Sequence, residues 1–248
     1  MKFYKYQNKP MTLYNEILEA LTDLSSPEKA EFLPRFFKTG KGEYAEGDQF
    51  LGVVVPDSRI VAKHFAPKLS FEDLQEIIQS EFHEMRLVAL LILIQKFEKI
   101  KDKKEQKPII DFYLKNTQYI NNWDLVDLSC YKILGRYCFE NNKEEILRKL
   151  SASGSMWEKR IAIVGTMHYI KKGQFNLTKE LALKNLYHTH DLMHKANGWL
   201  LREMGKKDEN ELLNFLKTHY QTMPRTSLRY AIEKLDENLR QDFLKGKI

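Results

Sequence analysis

The chain has 248 residues, with 40 Lys and Arg against 34 Asp and Glu, for a formal net charge of +6 at pH 7. With 43% hydrophobic and 12% aromatic residues it can bury a large core, which excludes intrinsic disorder. Eleven Gly and seven Pro are too few for a collagenous or low-complexity chain. Leu occurs 32 times and Val only 7 times, a balance that predicts an all-α protein. The longest apolar run, Leu87 to Ile94, is eight residues, well short of the roughly 20 that span a bilayer. Met1-Lys2-Phe3-Tyr4-Lys5-Tyr6 lacks the apolar stretch of a secretory signal. A cytoplasmic protein without a membrane partner is expected. Cys130 and Cys138, if on one helix, lie about 12 Å apart at 1.5 Å rise per residue. That exceeds disulfide reach, so they read as buried thiols. The charge of +6 fits a nucleic-acid partner without requiring one.

From the N-terminus, Leu13, Ile17, Leu18 and Leu21 form one stripe of a helix over residues 11–22. Ser26 and Pro27 suit the N-cap and first position of a second helix, with Pro34 a kink or an early end. Residues 39–48 hold three glycines and read as a loop. Phe50 to Val55 carries three of the seven valines and reads as one short extended segment. Helical patterns follow over 56–66, 70–79, 83–100, 104–116, 122–139, 142–151, 155–172, 177–187, 191–206, 208–219 and 223–244, the last broken near Asp236. The short breaks predict antiparallel pairs. Trp123, Trp157 and Trp199 stand 34 and 42 residues apart. A period of roughly 40 with two or three helices per unit predicts a HEAT-like or ARM-like α-solenoid. The expected architecture is one such domain over residues 1–248, with a concave basic face.

Four stretches carry candidate chemistry. In Asn122-Trp123-Asp124-Leu125-Val126-Asp127, Trp123 and Asp127 stand at i and i+4 on one helix face. An aromatic plane beside a carboxylate suits a cation. A packed Trp with an Asp paired to a neighbouring Arg fits the same residues, and both readings stand. Lys159 and Arg160 are adjacent basics, either a solvated face or phosphate contacts. Gly198-Trp199-Leu200-Leu201-Arg202 places Trp199 and Arg202 at i and i+3, and Gly198 permits close approach of another backbone. Arg225 and Arg229 form a basic stripe after Pro224. His190 and His194 have a spacing that zinc sites use, but no cysteine lies nearby and no metalloprotease Glu follows. They are not assigned to a metal.

Together with Phe50 to Arg59 and Glu84 to Leu91, these four stretches resemble the AlkD-type DNA alkylation repair glycosylases, built from HEAT-like repeats. The resemblance runs from about residue 12 to 245 with the motifs in family order. It implies a base-excision repair enzyme acting as a monomer on double-stranded DNA. The reaction is cleavage of the N-glycosidic bond of positively charged N3- or N7-alkylpurines. It implies Asp127 as the catalytic carboxylate, Trp123 and Trp199 as aromatic walls, and Arg160 as a DNA contact beside the lesion. Lys159, Arg202, Arg225 and Arg229 are the further DNA-binding candidates, and no metal or organic cofactor is implied. Two departures stand out. Phe36 occupies a stretch where relatives place a Tyr, and the loop at 39–49 is longer. A non-catalytic helical-repeat DNA-binding protein and a HEAT-like protein-interaction scaffold remain as rival readings.

Overall fold

The computed structural model describes residues 12–248, so the Met1 to Tyr6 stretch lies outside the described residues. The chain divides into two compact units, residues 1–100 and 101–248. In the first, α1 (Leu13–Thr22), α2 (Pro27–Phe36), α3 (Val55–Phe65) and α4 (Phe71–Ile78) precede α5 (His83–Lys99). Ser26 caps α2 and Pro27 is its first residue, while Pro34 stays inside the helix. The apolar run Leu87 to Ile94 falls in α5, which is buried around its whole circumference against α1, α3 and α4. That accounts for its all-round hydrophobicity. No helix of the described residues is long and apolar enough to cross a membrane.

The segment expected to be extended over Phe50 to Val55 is instead irregular, turning at Gly52, with Val55 already in α3, and it is held by Glu84 in the first turn of α5. Its buried carboxylate accepts from the amides of Leu51 at 3.0 Å, Gly52 at 2.9 Å and Val53 at 3.2 Å. Gly52 has φ +86°, and a Cβ there would lie 2.3 Å from the Ser26 carbonyl oxygen, so the turn admits no larger residue. The end of the glycine-rich loop is tied down by a buried pair, Asp48 accepting from Arg86 Nη2 at 2.5 Å. Phe37 and Phe50 stack on His83 with centroids 5.1 and 4.6 Å away.

The second unit continues with α6 (Lys103–Lys115), α7 (Trp123–Ser129), α8 (Arg136–Asn141), α9 (Glu144–Ser151), α10 (Met156–Gly165), α11 (Met167–Lys171), α12 (Asn176–Lys184), α13 (Asp191–Lys207), α14 (Glu209–His219), α15 (Arg225–Ala231) and α16 (Glu237–Lys245). Helices α7, α10, α13 and α15 form one file in which each touches the next. Helices α8, α9 and α12 form a second, with α9 also against α10 and α12 also against α13. This is the paired-helix layering of a HEAT-like α-solenoid, and the fold class is all-α as the composition predicts.

The stacking step is shorter than the tryptophans suggest. Polar bonds between successive repeats join Arg160 to Asp127 33 residues away, Ser227 to His194 33 away, and Arg202 to Glu233 31 away. In the second file, Arg148 reaches Glu180 and Lys179 reaches Glu211, each 32 away. The helices of the first file begin at Trp123, Met156, Asp191 and Arg225, so the repeat is 33–35 residues, not roughly 40. Trp123 and Trp157 occupy the first turns of α7 and α10, whereas Trp199 sits in the middle of α13, outside that register.

The helix expected over 122–139 is interrupted by a π-helical turn, Tyr131–Gly135, closed by the Gly135 amide on the Cys130 carbonyl at 2.8 Å. Cys130 and Cys138 flank it, both buried as free thiols. Burial pushes the Cys138 thiol up to about 12 and the Cys130 thiol well above its ordinary value. Gly135 packs directly on α10: a Cβ there would lie 2.2 Å from the Gly165 carbonyl oxygen, whereas a Cβ on Gly165 is tight only against the Leu147 side chain, at 3.1 Å, with the Gly135 Cα at an ordinary 3.9 Å. Similarly, α13 crosses α15 at Gly198, where a Cβ would lie 2.4 Å from the Ser227 carbonyl oxygen. Chemical denaturation should therefore show Gly135→Ala destabilising the chain by about 1–3 kcal/mol through backbone overpacking. Gly165→Ala should cost less, because Leu147 can yield and Ala favours the helix by roughly 1 kcal/mol.

Candidate functional site

All eight residues nominated from the sequence lie in the second unit. Helix α7 begins where Asn122 accepts from the Trp123 amide at 2.8 Å, and Trp123 and Asp127 then share a face one turn apart. Helix α10 begins at Ser155, whose hydroxyl accepts from the Glu158 amide. Glu158 in turn accepts from the Thr117 hydroxyl at 2.7 Å, which orients the first turn of α10. Close contact at Gly135 and Gly165 then brings α10 against the end of the α7 segment.

Across that contact Arg160 grips Asp127 with both arms of its fork. Nε donates to Oδ1 at 2.9 Å and Nη2 to Oδ2 at 2.7 Å. Nη1 donates to the Leu192 carbonyl in the first turn of α13, so one guanidinium ties three successive helices together. The Arg160 side chain is only 5% exposed, and Asp127 is 19% exposed. The Asp127 side chain is thus mostly buried with a small exposed part, whereas the Arg160 side chain is buried.

Burial pushes the Asp127 carboxyl above its ordinary value of 3.8, against the opposing pull of the Arg160 charge and hydrogen bonds. A carboxyl with a raised folded-state value has its charged form penalised by folding. At neutral pH Asp127 therefore subtracts from stability, and this cost is relieved as the pH falls through its folded value. Of about four lone-pair positions on the carboxylate, Arg160 takes two, and the rest can accept from water or face a developing positive charge. The two sequence readings of Trp123 and Asp127 meet in one arrangement, an Asp paired with an Arg and still partly exposed.

The other nominated residues have different surroundings. Lys159, next to Arg160, is half-buried and close enough to His188 for its charge to help, after burial, to hold that ring below the ordinary value of 6.5. Trp199 is half-buried on α13. Arg202, one turn on, is ion-paired with Glu233 from the next repeat. Arg225 and Arg229 are exposed on α15, with Arg225 also donating to the Leu244 carbonyl at 3.0 Å. Phe36 ends α2, half-exposed, in the first unit. The residue that sequence spacing missed is Leu192, because it acts through its carbonyl. The link from Arg160 to Asp127 was legible only as two motifs 33 residues apart.

A family model described as DNA alkylation repair enzyme matches residues 17–235. A solved structure described as "Predicted DNA alkylation repair enzyme from Enterococcus faecalis" superposes with a TM-score of 0.68 at 18% identity, covering 86% of this chain and 97% of that chain. At that identity the likeness speaks for the fold alone. No curated protein sequence matches the chain. With a family model that runs from within α1 to beyond α15, this chain belongs to the DNA alkylation repair enzyme family.

Proposed function

We propose that the chain is a DNA glycosylase that hydrolyses the N-glycosidic bond of positively charged N3- or N7-alkylpurines in duplex DNA. The observation that carries this reading is the Asp127 carboxylate, held in one orientation by a buried bidentate Arg160 and still partly exposed. Such a group costs stability at neutral pH, and perturbed carboxylates cluster at functional sites.

The substrate chemistry fits a lone carboxylate. An alkylated purine carries its own positive charge, so when the C1′–N bond breaks the electron pair neutralises the base. No general acid is needed for departure. What remains is an oxocarbenium-like sugar, stabilised electrostatically by Asp127, and a water molecule positioned to attack C1′. Trp123 and Trp199 supply aromatic faces to the cationic base or sugar. Arg160 acts through Asp127: it fixes the carboxylate and keeps it ionised. Lys159, Arg202, Arg225 and Arg229 are assigned to the DNA phosphates, with Arg202 exchanging Glu233 for one. In this reading residues 1–248 act as one monomeric domain, and the basic residues lie on a concave face.

Duplex DNA carrying 7-methylguanine or 3-methyladenine should release free base on incubation with the chain. Salt-sensitive binding without release would instead identify a non-catalytic DNA-binding protein. Asp127→Asn should lower the release rate by on the order of a hundredfold or more while leaving DNA affinity nearly unchanged. Because the ionised carboxylate is required, kcat/KM should fall with decreasing pH, with a midpoint above 3.8, and Asp127→Asn should lack that limb. Replacing both Arg225 and Arg229 with Ala should reduce the slope of log affinity against log salt by about 2.

A further inference from the structure

The stretch from His188 to His194 holds three histidines that neither the fold nor the proposed chemistry has so far used. Its bonds are specific. His188 Nδ1 accepts from the His190 amide at 3.1 Å, and His190 Nδ1 accepts from the Leu192 amide at 3.2 Å as the N-cap of α13. His194 Nε2 donates to the His188 carbonyl. These contacts fix the tautomers: Nδ1 of both His188 and His190 must be unprotonated to accept. They also show why the zinc-like spacing leads to no metal reading, since these two nitrogens are already used by backbone amides.

The decisive link is Leu192. Its amide is held by the His190 ring, and its carbonyl accepts from Arg160 Nη1. A continuous path therefore runs from the His190 ring through the Leu192 peptide to the Arg160 guanidinium and on to Asp127.

We propose that His190 is a positioning residue for Asp127: by capping α13 it sets the Leu192 carbonyl, which fixes the rotation of the Arg160 fork and hence of the carboxylate. The proposal rests on the reading of Asp127 as the catalytic carboxylate. Protonated His190 cannot accept from Leu192, and an imidazolium at a helix N-terminus is opposed by the helix dipole. The charged groups acting on the ring are Asp191, His194 and Lys195 from its own segment and Arg160 from α10, and the ring in turn acts on His188, which Lys159 of α10 also faces. The Asp191 carboxylate is itself held by Lys195 and by Thr226 of α15. Burial lowers the His190 value below 6.5; the nearby cations reinforce this and Asp191 opposes it. The charged form of the ring is therefore disfavoured, and where acid does charge it the cap is lost.

The test compares wild type, His190→Ala and His190→Asn, since Asn is an effective cap that does not titrate. At pH 7.5, His190→Ala should lose about tenfold or more in kcat with little change in KM, whereas His190→Asn should stay within about threefold of wild type. The wild-type acid profile should show a limb below pH 6.5 that His190→Asn lacks, leaving only the limb of Asp127. In parallel, the Arg160 Nε–H resonance should follow the His190 ring titration in wild type, and that component should be missing in His190→Asn, leaving only the component that follows Asp127. Wild-type activity in His190→Ala, or an Arg160 resonance indifferent to pH in wild type, overturns the proposal. Should wild type release no base, the glycosylase reading fails, and the Arg160 resonance still decides whether His190 positions Arg160.

Discussion

The second unit is organised around one ion pair. Arg160 crosses a single stacking step to hold Asp127 and reaches back the other way to a carbonyl of the following repeat. Buried pairs of this kind are poor stabilisers, because desolvation of both charges offsets their attraction. The surrounding structure nonetheless invests in it. A helix is interrupted by a π turn, and two glycines bring backbones into contact. A Ser cap and a Thr–Glu bond then orient the helix that carries the Arg. π turns recur at functional sites for a related reason: they offset the face of a helix by one residue without ending it.

A 33–35-residue step lets that pair form, and it also shows what was legible beforehand. Composition and apolar spacing disclosed the helices well, since a helix with one buried face writes its 3.6-residue period into its own sequence. The cap at Ser26 was equally readable, because it follows from local backbone chemistry, whereas the segment before α3 turns at Gly52 on a carboxylate more than 30 residues away. The repeat length was misjudged because tryptophans are placed by local packing. Glycines at close crossings are tied to the stacking itself, and Gly135, Gly165 and Gly198 track the step better than Trp123, Trp157 and Trp199. The π turn left no periodic trace, because it depends on a neighbour 30 residues away.

The site was legible in part, and for an intelligible reason. Residue types at helical spacing put Trp123 and Asp127 on one face. Nothing local says that Arg160 turns inward while Lys159, its neighbour, does not. A guanidinium is drawn into the interior by a buried carboxylate, and that partner comes from another repeat. Backbone groups such as the Leu192 carbonyl carry no side-chain signature at all. The histidines around it looked like a metal spacing because i, i+4 is the spacing of any two residues that share a helix face.

Glu84 gives the first unit a different kind of dependence. One carboxylate holds the amides of Leu51, Gly52 and Val53, a segment that belongs to no helix and no ladder. Hydrogen exchange at such amides is normally fast, because irregular backbone opens one residue at a time. Here the three amides share one acceptor on the first turn of α5, so they are released together when that turn moves and not otherwise. Their exchange is then a local clock for the opening of the central helix, read from outside it.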